Sequence, residues 1–439
     1  MRASRVRPTR PPEIYRVPEV LLAADRGAYQ PRFLSLGPYH RGGSATEEMR
    51  RKDGEKAGNM AYAVQGGGPP VVEYMKAIAS IQADARSRYE GGVIDMEWDA
   101  FCRMLLLDAF QLITLLEYLG FDDVDEPSET GGCAEQEDCK PRTGVLSSIG
   151  HDLMMLENQI PFFVAQKMYG LRHGDGGDRI AELAWRTIKS IMCGVPSAAA
   201  SYPPAEKCQH LVHLCHAYLK PSNLGRCSRG ERGGEYGRFR RATEYHEAGV
   251  RFRRLCSEDG SAQRPLLDVT FSNGVLRMAR HRIDETTNYI LRNVLVYEQR
   301  YLEVATSGDA GYVAAYVVFM SQLLGGPEDV ALLSRRGVIE HHLGNDAEVC
   351  ALFRGLAQGL VFDPSGDHYL RTVGVKLQAY YESRVNRWGA WVIRHRLGNP
   401  WLAAAWVFGA MAVLGTILQT VVALLQYLDS QRPTGNVGT

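Results

Sequence analysis

The chain has no excess of charge of either sign. Its 50 basic residues match its 50 acidic ones, which removes any global electrostatic argument for nucleic acid as a partner. It also lacks the cysteine pattern of a disulfide framework. Nine cysteines, an odd number, are scattered from Cys102 to Cys350. In a chain this long, reduced thiols in the cytosol are the simplest reading. No Asn-x-Ser/Thr sequon occurs, which agrees with that compartment. There is no Walker loop, dinucleotide fingerprint, Gly-x-Ser-x-Gly or His-Glu-x-x-His, so the common cofactor and nucleophile motifs are missing. The first 16 residues are basic and proline-rich without an apolar run, which excludes a signal peptide there. No internal repeat and no Pro/Ser-rich linker divides residues 14–395.

What is present points first to a membrane. Residues 401–428 contain no charged side chain. A hydrocarbon core of ~30 Å needs about 20 apolar residues, so this stretch is long enough to span. Trp401, Trp406 and Tyr427 lie towards its ends, where aromatic rings favour the interface. Arg384, Arg387, Arg394 and Arg396 precede it closely, and only Arg432 follows. The positive-inside rule then puts the N-terminal side in the cytosol. The expectation is a single-pass, tail-anchored protein of the plasma membrane or an endomembrane, with the bilayer as one partner and residues 429–439 as a short tail.

The remainder reads as mainly α: a multi-helix soluble domain with a small β-hairpin, followed by the one C-terminal transmembrane helix. Hydrophobic residues make up 45% of the chain and charged residues 23%, enough for a real core. Residues 1–13 are expected to be disordered and residues 14–395 to form one helical domain, entered by an extended loop from Ile14 to Gly43. Helical periodicity marks 71–89, 97–119, 152–170, 180–192, 205–219, 285–304, 312–324, 329–335, 346–360 and 369–394. Pro161 should kink or interrupt the third of these. Residues 122–144 and 220–240 read as exposed loops. Asn273-Gly274 between short alternating runs, within residues 266–278, signals a hairpin.

Several blocks, in order along nearly the whole chain, are similar to one plant family. They are Ile14-Tyr15-Arg16-Val17-Pro18, Ala28-Tyr29-Gln30-Pro31 and Leu36-Gly37-Pro38-Tyr39-His40, then Met104-Leu105-Leu106-Leu107-Asp108. The most characteristic runs from Asp152 through Glu157-Asn158-Gln159 to Pro161-Phe162-Phe163. Glu247-Ala248-Gly249-Val250-Arg251-Phe252, Leu291-Arg292-Asn293 to Tyr297-Glu298-Gln299, and Asn399-Pro400-Trp401 complete the set. Together they resemble the plant family known as domain of unknown function 247. The resemblance implies a plant protein with a C-terminal membrane anchor and no established enzymatic activity. Some grass members are associated with self-incompatibility, the recognition of self pollen.

The family-like polar residues are the candidate chemistry. Asp152 and Glu157 suggest an acid/base pair, but on one helix they would sit about 140° apart. The structural alternative makes Asp152 a helix N-cap. Glu157, Asn158 and Gln159 then bond the backbone groups freed by Pro161. Asp108, Arg292, Asn293, Glu298 and Gln299 read the same way, with Arg292 and Glu298 able to join Asp108 or Glu157 in one buried network. Cys208, His210, His213, Cys215 and His216 are dense enough for a metal site, but their helical directions diverge and no second pair stands at zinc-finger spacing. No cofactor or metal is expected. The arginines between Arg226 and Arg241 form a local basic stretch that suits a solvated loop or anionic lipid. Two functions stay open. One is a membrane-tethered recognition or signalling protein with an unknown protein partner. The other is a membrane-bound hydrolase or transferase using residues 152–159. Nothing in the sequence speaks to oligomeric state.

Overall fold

The computed structural model describes residues 11–41, 47–91, 96–120, 144–174, 177–192, 202–222, 224, 237–255, 265–304, 311–363, 366, 368–383 and 400–430. The expected disorder of 1–13 and the loops at 122–144 and 220–240 fall largely outside these residues, as does the tail 429–439. Arg394 and Arg396 lie outside them too, and so do the side chains of Trp401 and Tyr427.

The chain is mainly helical with two small sheets. In order, the elements are α1 (Glu19–Ala24), α2 (Glu47–Gln65), α3 (Val71–Ser87), α4 (Trp98–Gly120), α5 (Gly144–Leu153), α6 (Phe162–His173), α7 (Asp178–Ile191), α8 (Leu211–Tyr218) and α9 (Ala242–Glu247). There follow β1 (Arg251–Arg254), β2 (Val269–Ser272), β3 (Val275–Met278), β4 (His281–Ile283), α10 (Glu285–Val304), α11 (Tyr312–Leu323), α12 (Pro327–Arg335), β5 (Ile339–His341), α13 (Asp346–Ala357), α14 (Arg371–Glu382) and α15 (Pro400–Ser430).

Two helices organise the interior. α4 buries Phe101, Leu105, Ala109, Leu112 and Leu116, the periodic residues of its sequence, and packs against α2, α3, α6 and α7. α10 packs against α5, α8, α11 and α13 through Ile290, Leu291, Val294 and Tyr297. Burial of such side chains stabilises by roughly 1.5–3 kcal/mol each. The expected hairpin is present: β2 pairs antiparallel with β3 across Asn273-Gly274, both with positive φ, as a type I′ turn requires. β1 adds to β3 in parallel, and β4 pairs in parallel with β5.

Three expectations need correction. The helix expected over 152–170 is two helices, α5 and α6, with a turn between them. Pro161 interrupts it, as expected, and stands immediately before α6, where its missing N–H costs nothing. Asp152 is not an N-cap, because it lies in the last turn of α5. Finally, α8 starts at Leu211, with His210 as its N-cap, not at residue 205.

α15 is 31 residues long. Its described side chains, including Phe408, Leu414, Leu418 and Leu425, are exposed. They run unbroken only from residue 411 to 426. Among the described residues no helix is long and apolar enough to cross a membrane.

Candidate functional site

Residues 13–41 form a strap that crosses the helical body with little secondary structure of its own. It holds α1, one turn of 3-10 helix (Arg26–Ala28) and a bridge from Ile14 to Tyr89. Ile14, Tyr15, Val17, Leu34 and Leu36 are buried, so the backbone beside them loses water and needs other partners. The family-like polar side chains supply them. Asp152 Oδ1 accepts the Arg32 N–H at 2.8 Å, and its Oδ2 accepts those of Phe33 and Leu34 at 2.7 and 2.8 Å. Asn158 accepts from Leu36 N–H (2.7 Å) and donates to Leu34 O and Asp152 O. Glu157 Oε1 accepts the Val17 N–H at 2.7 Å. Asp108, fully buried on α4, accepts from the Gly37 N–H at 2.8 Å, from Arg41 at 2.6 Å and from Lys56 at 2.7 Å.

The other blocks hold the layers beneath. Gln159 donates to Leu153 O and Met155 O and accepts from Leu211 N–H, tying the turn before α6 to the start of α8. Asn293 accepts from Leu156 N–H and donates to Ala28 O and Tyr289 O. Glu298 accepts the Val313 and Ala314 N–H groups in the first turn of α11, at 3.0 and 2.8 Å, and lies 3.0 Å from His216 Nε2. A carboxylate there complements the positive helix end. Arg292 bonds Asn288 and pairs with Asp25 at 3.3 Å; among the described residues no bond joins it to Asp108 or Glu157, and the polar groups form several local networks rather than the one the sequence left open. Among the described residues Gln299 makes a long contact, 3.5 Å, to Val361 O.

Asp152 and Glu157 turn to different parts of the strap and share no bonding partner. Each lies near a histidine instead: His151 Nδ1 is 2.9 Å from Asp152 Oδ1, and His40 Nε2 is 3.6 Å from Glu157 Oε2. Burial pushes the Glu157 carboxyl up and pushes the His40 imidazole down to about 4. Both shifts favour the neutral forms.

The histidines of the Cys/His cluster bond to groups within and around α8. His210 accepts the His213 N–H and lies 3.0 Å from Glu13 O. His213 accepts the Gln209 N–H. Burial lowers these imidazoles to about 3 and about 4 and raises Cys208 and Cys215 to about 12. Sequence reading missed several partners. Lys56 is buried between Asp108 and Asp53, although its helix looks polar throughout. His151 lies between Asp152 Oδ1 and Gly27 O. Asp329 accepts from Arg241, Thr243 N–H and Gly326 N–H; for it, Gly326-Pro327 followed by two acidic residues was a readable helix-start signal.

These features define a mainly helical protein whose shared polar motifs bind its own N-terminal strap. The chain belongs to the plant family DUF247, described as plant protein of unknown function, whose family model matches residues 14–415. It is similar to UPF0481 protein At3g47200 of Arabidopsis thaliana, 26% identical over 451 aligned positions that cover 96% of this chain and 88% of that protein. A second Arabidopsis thaliana relative, UPF0481 protein At3g02645, is 24% identical over 189 positions, 43% of this chain and 31% of that protein. No solved structure matches.

Proposed function

We propose that this chain is a membrane-tethered recognition or signalling protein that acts through protein contacts, with the residue 14–395 body held at the cytosolic face by α15. One observation carries the recognition reading. Both oxygens of Asp152, Oδ2 of Asp108, Oδ1 of Asn158 and Oε1 of Glu157 accept backbone N–H groups of the protein's own strap, and Asp108 Oδ1 is held by Arg41 and Lys56, which leaves them little capacity for substrate. Tethering rests on the uncharged run 401–428 and on the exposed apolar side chains of α15. Specificity then belongs to loops on a rigid scaffold, and the polar stretches 122–144 and 220–240 lie outside every family-like block. Self-incompatibility is one setting for such recognition.

The test exchanges those two loops with the loops of a close relative in the full-length chain. The partner captured from plant membranes should change while the melting temperature stays nearly constant. The enzyme reading draws on the Glu157–His40 approach. A Glu157→Gln protein that melts like the parent and still captures its partner, yet has lost all biological activity, would establish that reading instead.

A further inference from the structure

Beside the strap lies a cavity of about 290 Å³ that the recognition reading does not use and does not depend on. Its walls come from three parts of the fold: the strap from Asp25 to Arg32, the first turn of α10 with the residue before it, and Leu343 with Leu352 of α13. Most polar groups here already have partners. Asp25 accepts from Ala28 N–H and Asn288 Nδ2 and pairs with Arg292. Asp284 accepts the Thr287 N–H and so caps the positive end of α10.

Two charges remain. The Arg32 and Glu285 side chains both line the cavity, both are exposed, and neither has a bond among the described residues. They come from different walls and have opposite sign. The apolar part of the lining is Ala28, Leu343 and Leu352. Concave sites with an apolar floor and a few unspent polar groups are the usual form of small-ligand pockets.

We propose that this cavity binds a small zwitterion with an aliphatic body, the chemistry of a free α-amino acid. The ligand carboxylate pairs with the Arg32 guanidinium, the planar donor that carboxylates match best. The ligand ammonium pairs with Glu285, and the aliphatic body covers Leu343 and Leu352. Because Arg32 belongs to the strap and Glu285 to α10, the ligand joins the two.

Saturation-transfer NMR on the full-length chain in detergent micelles tests this with three probes: L-leucine, L-leucinamide and 4-methylpentanoate. The last two each lack one charged end. L-Leucine should bind about tenfold more tightly than either, the worth of one charge-assisted contact. Arg32→Gln should erase its advantage over leucinamide, and Glu285→Gln its advantage over 4-methylpentanoate. Both positions are exposed, so both variants should melt like the parent. Equal binding of the three probes to the parent protein, or no saturation transfer to L-leucine at 20-fold excess over a millimolar reference affinity (about −4 kcal/mol), overturns the proposal without touching the recognition reading.

Discussion

Asp152 takes three consecutive main-chain amides of the strap, at Arg32, Phe33 and Leu34. Only a carboxylate offers two acceptor oxygens on so short a stem. Asp152→Asn turns one of them into a donor facing donors, and should cost about 3 kcal/mol in urea unfolding. Glu157→Gln keeps an acceptor for Val17 and should cost about 1 kcal/mol. The reverse order would contradict the assigned bonds. Histidines set the pH response. Burial holds His40, His213 and His281 at about 4 and His210 at about 3, against an ordinary value of 6.5. Folding therefore favours their neutral forms, and the unfolded chain binds more protons below pH 6.5. Their stabilising contribution is complete above that pH and is lost as pH falls towards 4 and then 3. Glu157, with its carboxyl raised by burial, has the opposite sign: its contribution is present at low pH and lost as pH rises through its own raised value. The melting temperature should drop between pH 6.5 and 4, and His281→Gln should flatten the fall. A melting temperature constant across this window would show that these rings are not held neutral by burial.

At the scale of elements, Gly37 controls how closely the strap approaches the turn before α6. Its φ is +70°, and an added Cβ would lie 2.4 Å from the carbonyl oxygen of Gln159. Gly37→Ala should cost about 3 kcal/mol, combining left-handed strain with that clash. It should also expose the strap to limited proteolysis before the helices unfold; simultaneous cleavage of strap and body would show that they form one cooperative unit. The helices with strong apolar periodicity, α3, α4, α10 and α11, and the Asn-Gly hairpin were readable because their determinants are local. α2 was not, since its sequence is polar and includes Gly54 and Gly58, and its one fully buried charge, Lys56, shows its role only against Asp108. β1, β4 and β5 were missed because parallel pairing joins distant segments with no turn signal between them. The polar residues of the motifs could be singled out from sequence, but not what they hold: Asp152 and its partners are separated by 118 to 120 residues, and nothing in the 152–163 block encodes the strap. The expected N-cap role of Asp152 failed for this reason, as a local explanation for a long-range contact.

The whole molecule joins a close-packed helical body to an apolar terminal helix. The four arginines that precede residues 401–428, against one that follows, predict a body on the cytosolic side. Protease added to sealed, right-side-out plasma-membrane vesicles should leave the body intact, and detergent should then render it cleavable. Digestion without detergent would reverse the orientation, and would place the cysteines in an oxidising compartment.

The strap also fixes an order of events during synthesis. Asn293 holds Ala28 across 265 residues of chain, and Glu157 holds Val17 across 140. The strap is therefore made well before the residues that fix it in place. At roughly 10 residues per second, the interval between Ala28 and Asn293 is about half a minute. For about the first half of that interval Val17, Leu34 and Leu36, all buried in the finished protein, wait for Glu157, Asp152 and Asn158 to be made. The nascent chain presents an apolar strap before it has a body to wrap, and its yield in a cell depends on whatever shields that strap while it waits.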